Sequence, residues 1–248
     1  MSAWQRRPAR TAVVWDALIA AINDLAIEGG SDTLDIVDVG GGTGGFAVPL
    51  AELGHRVTVV DPNPNALATL DRRAADARVE NLIRAVQGEA ASLVDVVGSG
   101  TADVVVCHGV LEVADDPAAA VAGVRAALRL GGLGSVLVAQ RLGAVLARVV
   151  AGHVADALEI LTSAAGRSAD ADPLLRRYDV ADVCELVTAA GLSIRTAHGV
   201  RTFTDLVPGT VADEPTESEA LHALEQAAAT DADLRRVAGH LHLLAVAQ

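Results

Sequence analysis

Three short stretches of this sequence carry residues whose types and spacing suit ligand chemistry. The first is Asp38-Val39-Gly40-Gly41-Gly42-Thr43-Gly44-Gly45. Glycines at this density leave backbone N–H groups bare, with no Cβ to hold a ligand off. Set between a strand and a helix, such a turn cradles polar ligand atoms. The second is Asp61, which closes the apolar run Arg56-Val57-Thr58-Val59-Val60. A carboxylate at that point can accept hydrogen bonds from both hydroxyls of a ribose. The third is Gln87-Gly88-Glu89-Ala90, again directly after an apolar segment. Glu89 offers an acceptor and Ala90 its backbone groups to a nucleobase. Together the three describe a pocket for a nucleoside-bearing cofactor. His108-Gly109 ends the next apolar run, Ala102 to Cys107, and falls at the equivalent point.

The elements that must position these residues alternate in type. Residues 11–28 carry Val14, Leu18, Ile22, Leu25 and Ala26 at helical spacing, and Gly29-Gly30 stops that helix. Leu34 to Val39 reads as a buried parallel strand, and Phe46 to Leu53 as a helix packed back on it. Asn63 suits a helix cap and Pro64 the first helical position, so a helix follows to about residue 78. Leu82 to Val86 is a short third strand and Ala102 to Cys107 a fourth. Pro117 opens a helix that Gly131-Gly132 closes, and Leu133 to Gln140 is a fifth strand. This alternation predicts an α/β fold with a mostly parallel sheet and helices on both faces. In such sheets ligands sit at the carboxyl ends of the strands, where Gly40, Asp61, Glu89 and His108 all fall.

The pattern breaks after strand five. Residues 141–178 read as a helical insert that covers the pocket, with turn signals only at Gly166-Arg167-Ser168 and Asp170 to Pro173. Val180 to Ala190 is a helix, Leu192 to Arg201 a strand, and residues 213–218 an acidic surface loop. Leu221 to Val237 is a helix, and His240 to Val246 a final strand. The expected organisation is one domain over residues 1–248, with residues 1–30 as an N-terminal helical cap.

Composition narrows the partners. The net charge is −13, and all 19 basic residues are arginine. The absence of lysine removes Schiff-base and lysine-nucleophile chemistry. The acidic balance repels phosphate backbones on average. Cys107 and Cys184 lie in apolar runs without paired spacing, which suits a reduced compartment. The longest apolar region, Leu133 to Gly152, holds Arg141 and Arg148 and makes a poor membrane span. No export signal is apparent, so the chain reads as soluble and cytoplasmic. His240 and His242 have no Cys or acidic partner, and no metal site is expected. Asp213, Glu214, Glu217 and Glu219 read as a solvated acidic surface.

Gly40-x-Gly42-x-x-Gly45 also satisfies the dinucleotide pattern, with Asp61 following at about the expected ~20 residues. Three features favour S-adenosylmethionine over NAD. Asp38 stands two residues before the first glycine, where a carboxylate can meet the methionine ammonium. Glu89-Ala90 faces an adenine. No separate catalytic domain for a hydride acceptor follows the sheet. The Asp-x-Gly-x-Gly run, Asp61, Gly88-Glu89-Ala90 and the strand-four sequence resemble class I S-adenosylmethionine-dependent methyltransferases over roughly residues 34–140. That resemblance implies a Rossmann-like seven-stranded sheet.

A narrower resemblance runs nearly end to end. Arg10 to Trp15, His108-Gly109-Val110-Leu111-Glu112, Val150-Ala151-Gly152 and Gly199 to Asp205 are similar to the bacterial tRNA carboxymethoxyuridine methyltransferase family. Enzymes of that family esterify the carboxylate of a modified wobble uridine. The resemblance implies that Arg10 reaches the cofactor carboxylate, and that Gly40 and Gly42, with Gly41 between them, meet the methionine part. Asp61, with Pro62 beside it, would take the ribose, Glu89-Ala90 with Ala91-Ser92 the adenine, and His108 the methyl-transfer region.

The acceptor is open between a carboxylate-bearing tRNA nucleoside and a small molecule. The family's lysine-rich stretch corresponds here to Leu161–Asp172, which has one arginine. Only Trp4, Trp15, Phe46, Tyr178 and Phe203 are aromatic, few for stacking on an unpaired base. Arg141, Arg148, Arg167, Arg176, Arg177 and Arg201 would have to gather on one face to hold RNA. A carboxylate acceptor is ionised and needs no general base, only an arginine to hold it. Arg201 is the first candidate and Arg148 the second, against a strand-edge salt bridge for Arg201 and a solvated helix face for Arg148. His108 is pocket wall or base, with Glu112 four residues on. Tyr178 closes the pocket or packs in the core. An NAD-dependent oxidoreductase and a cofactor-binding regulatory protein are the readings from other classes.

Overall fold

The computed structural model describes residues 9–168, 172–209 and 215–248. Chain contacts divide it into two compact units. The first comprises Ile19–Val136, Leu186–Arg195 and Leu244–Gln248. The second comprises the described residues through Leu18, Leu137–Glu185 and Thr196–Leu243.

Seven strands form one sheet in the order β3-β2-β1-β4-β5-β7-β6. They are β1 (Asp35–Val39), β2 (Arg56–Asp61), β3 (Ile83–Gln87), β4 (Ala102–His108), β5 (Leu128–Ala139), β6 (Leu192–Val200) and β7 (His240–Ala247). β1 pairs in parallel with both β2 and β4, and β2 with β3. Ile36, Val37, Val39, Val57, Val59, Val60 and Val104 to Cys107 are buried. Strands covered on both faces need continuous branched apolar runs of this kind.

The helices of the first unit start where the sequence marks them. α1 (Ala9–Gly29) ends at the Gly29-Gly30 signal, crossing from the second unit into the first. α2 (Ala47–Glu52) follows the glycine turn. α3 (Pro64–Ala77) is capped by Asn63, whose side chain accepts from the N–H groups of Asn65 and Ala66. A 3-10 turn, Ala90–Ser92, leads into α4 (Leu93–Val97). α5 (Pro117–Ala127) is capped by Asp116, which accepts from Ala119 N–H.

Strand five differs from expectation. It begins at Leu128, not Leu133, and Gly131-Gly132 lies inside it. Leu128 is buried, while the Arg129 guanidinium bonds Asp103 and reaches Asp35 at 3.1 Å. This pair of anchors draws the segment against β4 before the glycines are reached.

In the second unit, the segment after β5 is less helical than expected. α6 (Arg141–Val150) and α7 (Val154–Thr162) are separated at Gly152, whose φ is +81°. Helix stops at Thr162. Arg141 donates to the carbonyls of Ser163 and Ala164, ending α7, and Arg177 donates to Gly166 O and to both oxygens of Asp172. Residues 169–171 lie outside the described set. α8 is Val180–Ala189. Residues 215–218 open a helix, α9 (Pro215–Ala228), rather than belonging to a loop; Asp213 and Glu214 lie outside the described residues, while Glu217 and Glu219 are exposed. The long helix expected over Leu221 to Val237 breaks at Asp231. Asp231 caps a separate short helix, α10 (Ala232–Arg235), by accepting from Asp233 and Leu234 N–H. An Asx cap of this kind competes with helix continuation. No described helix is long and apolar enough to cross a membrane.

Candidate cofactor site

The carboxyl ends of β1 to β4 enclose a cavity of about 400 Å³ within the first unit. β1 contributes Val39 and Gly40, and β2 contributes Val60, Asp61 and Pro62. The turn after β3 contributes Gly88, Glu89, Ala90 and Ala91. The loop after β4 adds Gly109, Val110 and Val113 to Asp116, and Ala120 of α5 closes the set. Four carboxylate residues and no basic residue appear in this lining. Such a wall suits a cationic ligand and disfavours a pyrophosphate.

Asp61 is the best-anchored group in the cavity. It is buried at the end of β2. Its Oδ2 accepts from Gly42 N–H at 2.9 Å and its Oδ1 from Asn63 N–H at 2.9 Å. Two backbone donors thus fix the plane of the carboxylate and leave its remaining lone pairs for a ligand. The same bonds revise the reading of the glycine turn. Gly42 N–H is taken by Asp61, and Gly40 N–H by Val60 O at 2.7 Å. The glycines therefore serve shape more than donation. Gly40 has φ +67°, and a Cβ there would stand 2.5 Å from Val110 Cγ2.

Asp38 does not line the cavity. It is almost wholly buried beneath the turn, where a Cβ on Gly41 would meet its Oδ2 at 2.5 Å. Gly41 is thus required for room over Asp38. Oδ2 has no hydrogen-bond partner. Burial pushes the Asp38 carboxyl up to about 7, with the Asp61 charge adding to the rise and a backbone hydrogen bond from Ala47 opposing it. Gly41, Gly42 and Ser92 also lie outside the lining. Ser92 Oγ turns to Glu89 O at 3.4 Å. Glu89 and Ala91 are exposed at the mouth, and Ala90 is buried. Gly123 of α5 admits this turn, since a Cβ there would stand 2.4 Å from Ala90 O.

His108 ends β4 beside the cavity rather than in its lining. Its Nε2 lies 2.8 Å from Ser135 Oγ on β5. Phe46 meets its ring edge-on, with centroids 4.6 Å apart at 81°. Burial lowers the imidazole to about 3, so the ring is uncharged near neutrality. Burial, with the Glu112 and Asp38 charges behind it, raises Cys107 to about 12, leaving an unreactive thiol.

The other expected site residues lie in the second unit. Arg10 is exposed on α1. Arg201 is not a free clamp: Nε and Nη2 both donate to Asp205 Oδ1, at 3.0 and 2.7 Å. Its φ of +59° belongs to a turn in which Gly239 N–H donates to Arg201 O. Buried Glu225 completes that turn, accepting from the N–H groups of Thr202, Phe203 and Thr204 and from Thr204 Oγ1. Arg148 is half-exposed on α6. Tyr178 takes the core alternative, buried, with its backbone bridging Ala139 and Arg141. Arg141 lies 3.3 Å from Asp179, so Arg141, Arg177 and Arg201 each already face an aspartate. His242 stacks on His198, centroids 5.5 Å apart.

Sequence reasoning missed the loop Val113 to Asp116, Gly123 and Ser135. Ser135 had a signal, a lone hydroxyl inside Leu133 to Ala139. The loop had one too, since it follows β4 directly and ligands gather at strand ends.

Comparison with known proteins agrees with this geometry. Residues 37–136 match a family model described as a methyltransferase domain. The tRNA 5-carboxymethoxyuridine methyltransferase of Escherichia coli (strain K12) is 26% identical over 196 residues, 79% of this chain and 72% of that one. A crystal structure of an S-adenosylmethionine dependent methyltransferase from Mesorhizobium loti superposes with a TM-score of 0.62 at 17% identity, covering 96% and 99% of the two chains. The Burkholderia thailandensis 1,6-didemethyltoxoflavin-N1-methyltransferase, solved with S-adenosylhomocysteine, gives 0.55 at 20% identity, covering 99% and 80%.

Proposed function

We propose that this protein, an S-adenosylmethionine-dependent methyltransferase whose domain spans residues 37–136, esterifies a carboxylate. The observation that carries the reading is the similarity to the E. coli enzyme over 196 residues, and the state of His108 supports it. The His108 imidazole is the one nitrogen base among the residues expected at the site, and burial has lowered it to about 3. So weak a base gives little help in deprotonating a hydroxyl or amine. A carboxylate acceptor is already ionised and needs none.

The acidic lining of the cavity supports a cationic cofactor. Bound there, S-adenosylmethionine supplies a methyl group on a positively charged sulfur. Asp61 would hold the ribose, the Glu89 to Ala91 turn the adenine, and Gly40 the close-packed methionine part. The protein's remaining work is to orient the acceptor and exclude water. The similarity to the E. coli tRNA enzyme favours a carboxymethoxyuridine acceptor. A small carboxylic acid is the second reading, favoured by the net charge of −13 and the aspartate-paired arginines. Incubation with labelled cofactor and either total tRNA or an acid pool tests both. Esterification yields a product 14 mass units heavier that loses methanol in mild alkali. An alkali-stable methyl product would sink the carboxylate reading.

A further inference from the structure

The glycine turn supplies the cavity wall at Gly40, yet its backbone has little rigidity of its own. Gly42 and Gly44 take positive φ, +54° and +81°, and glycine loses more freedom on ordering than any other residue. Bonds from outside the turn offset that loss, and α3 packs against it. Leu70 of α3 is fully buried and stands so near that a Cβ on Gly44 would meet its Cδ1 at 2.4 Å. Three residues on, Arg73 shares that face of the helix. Its Nη1 donates to Thr43 O at 2.7 Å and reaches Thr43 Oγ1 at 3.3 Å. Thr43 adjoins Gly42, whose N–H fixes Oδ2 of Asp61. A charged donor on α3 thus grips the turn one residue from the bond that orients the buried carboxylate of the cavity.

We propose that Arg73 is a positioning residue for the cofactor: by holding Thr43 it keeps the glycine turn closed on Asp61. The proposal rests on the reading of Asp61 as the ribose acceptor. Asp61 Oδ1 accepts from the N–H of Asn63, the cap of α3. One helix therefore governs both oxygens of the carboxylate. Asn63 holds one directly, and Arg73 holds the other through Thr43 and Gly42. Without the guanidinium, the turn gains conformations in which Gly42 N–H has left Asp61. Cofactor binding must then order the turn again, which lowers affinity.

The test uses the full chain and Arg73→Met, which keeps an unbranched stem and removes the donors. By calorimetry, the S-adenosylhomocysteine Kd should rise about fivefold, the scale of one hydrogen bond to a charged group at a surface. In an Asp61→Ala background the same change should cost less than about twofold, because the bond that Arg73 protects is already gone. The urea midpoint should match the wild type, as expected for an exposed side chain. Without ligand, the Gly42 amide should exchange hydrogen about fivefold faster in Arg73→Met. An unchanged Kd, an equal loss in both backgrounds, or unchanged Gly42 exchange would overturn the proposal. So would a lowered urea midpoint with no loss of affinity, or loss of the fold, since Arg73 would then serve stability. If the wild type binds no S-adenosylhomocysteine, the cofactor reading fails, and Gly42 exchange still decides whether Arg73 holds the turn.

Discussion

Replacing Asp38 by asparagine keeps the outline of the side chain and removes its titration. In the folded protein the carboxyl is raised from 3.8 to about 7, chiefly by burial. Between those values the native state keeps a proton that the unfolded chain has released. Stability contributed by this group therefore falls as pH rises from about 4 to 7, and is level above that. At about 1.4 kcal/mol per pH unit, the full loss is about 4 kcal/mol. His108 and His240, lowered by burial to about 3 and about 4, act with the opposite sign. Their contribution rises with pH up to their unfolded value of 6.5. Both chains share it, so it cancels in the difference between wild type and Asp38→Asn. Urea denaturation from pH 4 to 8.5 measures that difference. Any fixed cost of the buried amide shifts the whole curve, whereas the slope belongs to the carboxyl. Asp38→Asn should gain on the wild type by about 4 kcal/mol between pH 4 and 7, then run parallel to it. A difference that does not vary with pH would refute the account of Asp38 as a protonated carboxyl buried beneath the turn.

Gly40→Ala places a Cβ 2.5 Å from Val110 Cγ2 at a φ of +67°, and should abolish measurable S-adenosylhomocysteine binding by calorimetry. Asp61→Ala strands the Gly42 and Asn63 N–H groups as well as losing the proposed ribose contact. Its cofactor affinity should fall about 10- to 100-fold, as roughly 1.5–3 kcal/mol for bonds to a charged group implies. Glu225→Gln replaces a carboxylate that accepts four hydrogen bonds. It should lower the urea midpoint by the equivalent of roughly 1–3 kcal/mol, leaving cofactor affinity unchanged. Arg201→Lys should keep the transfer rate within about twofold of wild type, because a partly exposed ion pair contributes little; a loss confined to acceptor KM would restore Arg201 as a clamp.

The cofactor half of the fold was legible because each signal there was local. Glycines at 40 to 42, an aspartate closing a valine run, and Asn63-Pro64 each name one backbone geometry. The elements misjudged were decided by side chains distant in sequence. Arg129 reaching Asp35 and Asp103 lengthened β5 through two glycines. Arg141 and Arg177 hold the turn just past the insert's second helix by binding the carbonyls of Ser163, Ala164 and Gly166. No periodicity records such contacts. Within the site, the aspartate at 61 and the turn at 89 to 91 line the cavity at the carboxyl ends of β2 and β3. The position of Asp38 did not follow from spacing, because an Asp two residues before a glycine turn can point above or below it. Gly41 settles the direction: only a residue without Cβ leaves room for the carboxyl underneath.

The charges of the cavity make the same glycine pattern a poor seat for a dinucleotide here. A pyrophosphate needs free N–H groups, yet Gly40 and Gly42 have given theirs to Val60 and Asp61. It would also face Asp61, Glu89, Asp115 and Asp116 without an arginine in the lining. Two unit charges about 4 Å apart at an effective dielectric of about 20 interact by about 4 kcal/mol, so each carboxylate near the ligand matters. A cofactor with a net positive charge from its ammonium and sulfonium groups would meet those carboxylates favourably. The same argument bears on the acceptor. Arg141, Arg177 and Arg201 are occupied by aspartates, so the proposed anionic acceptor would draw on another cation, and the sulfonium of the bound cofactor would supply one.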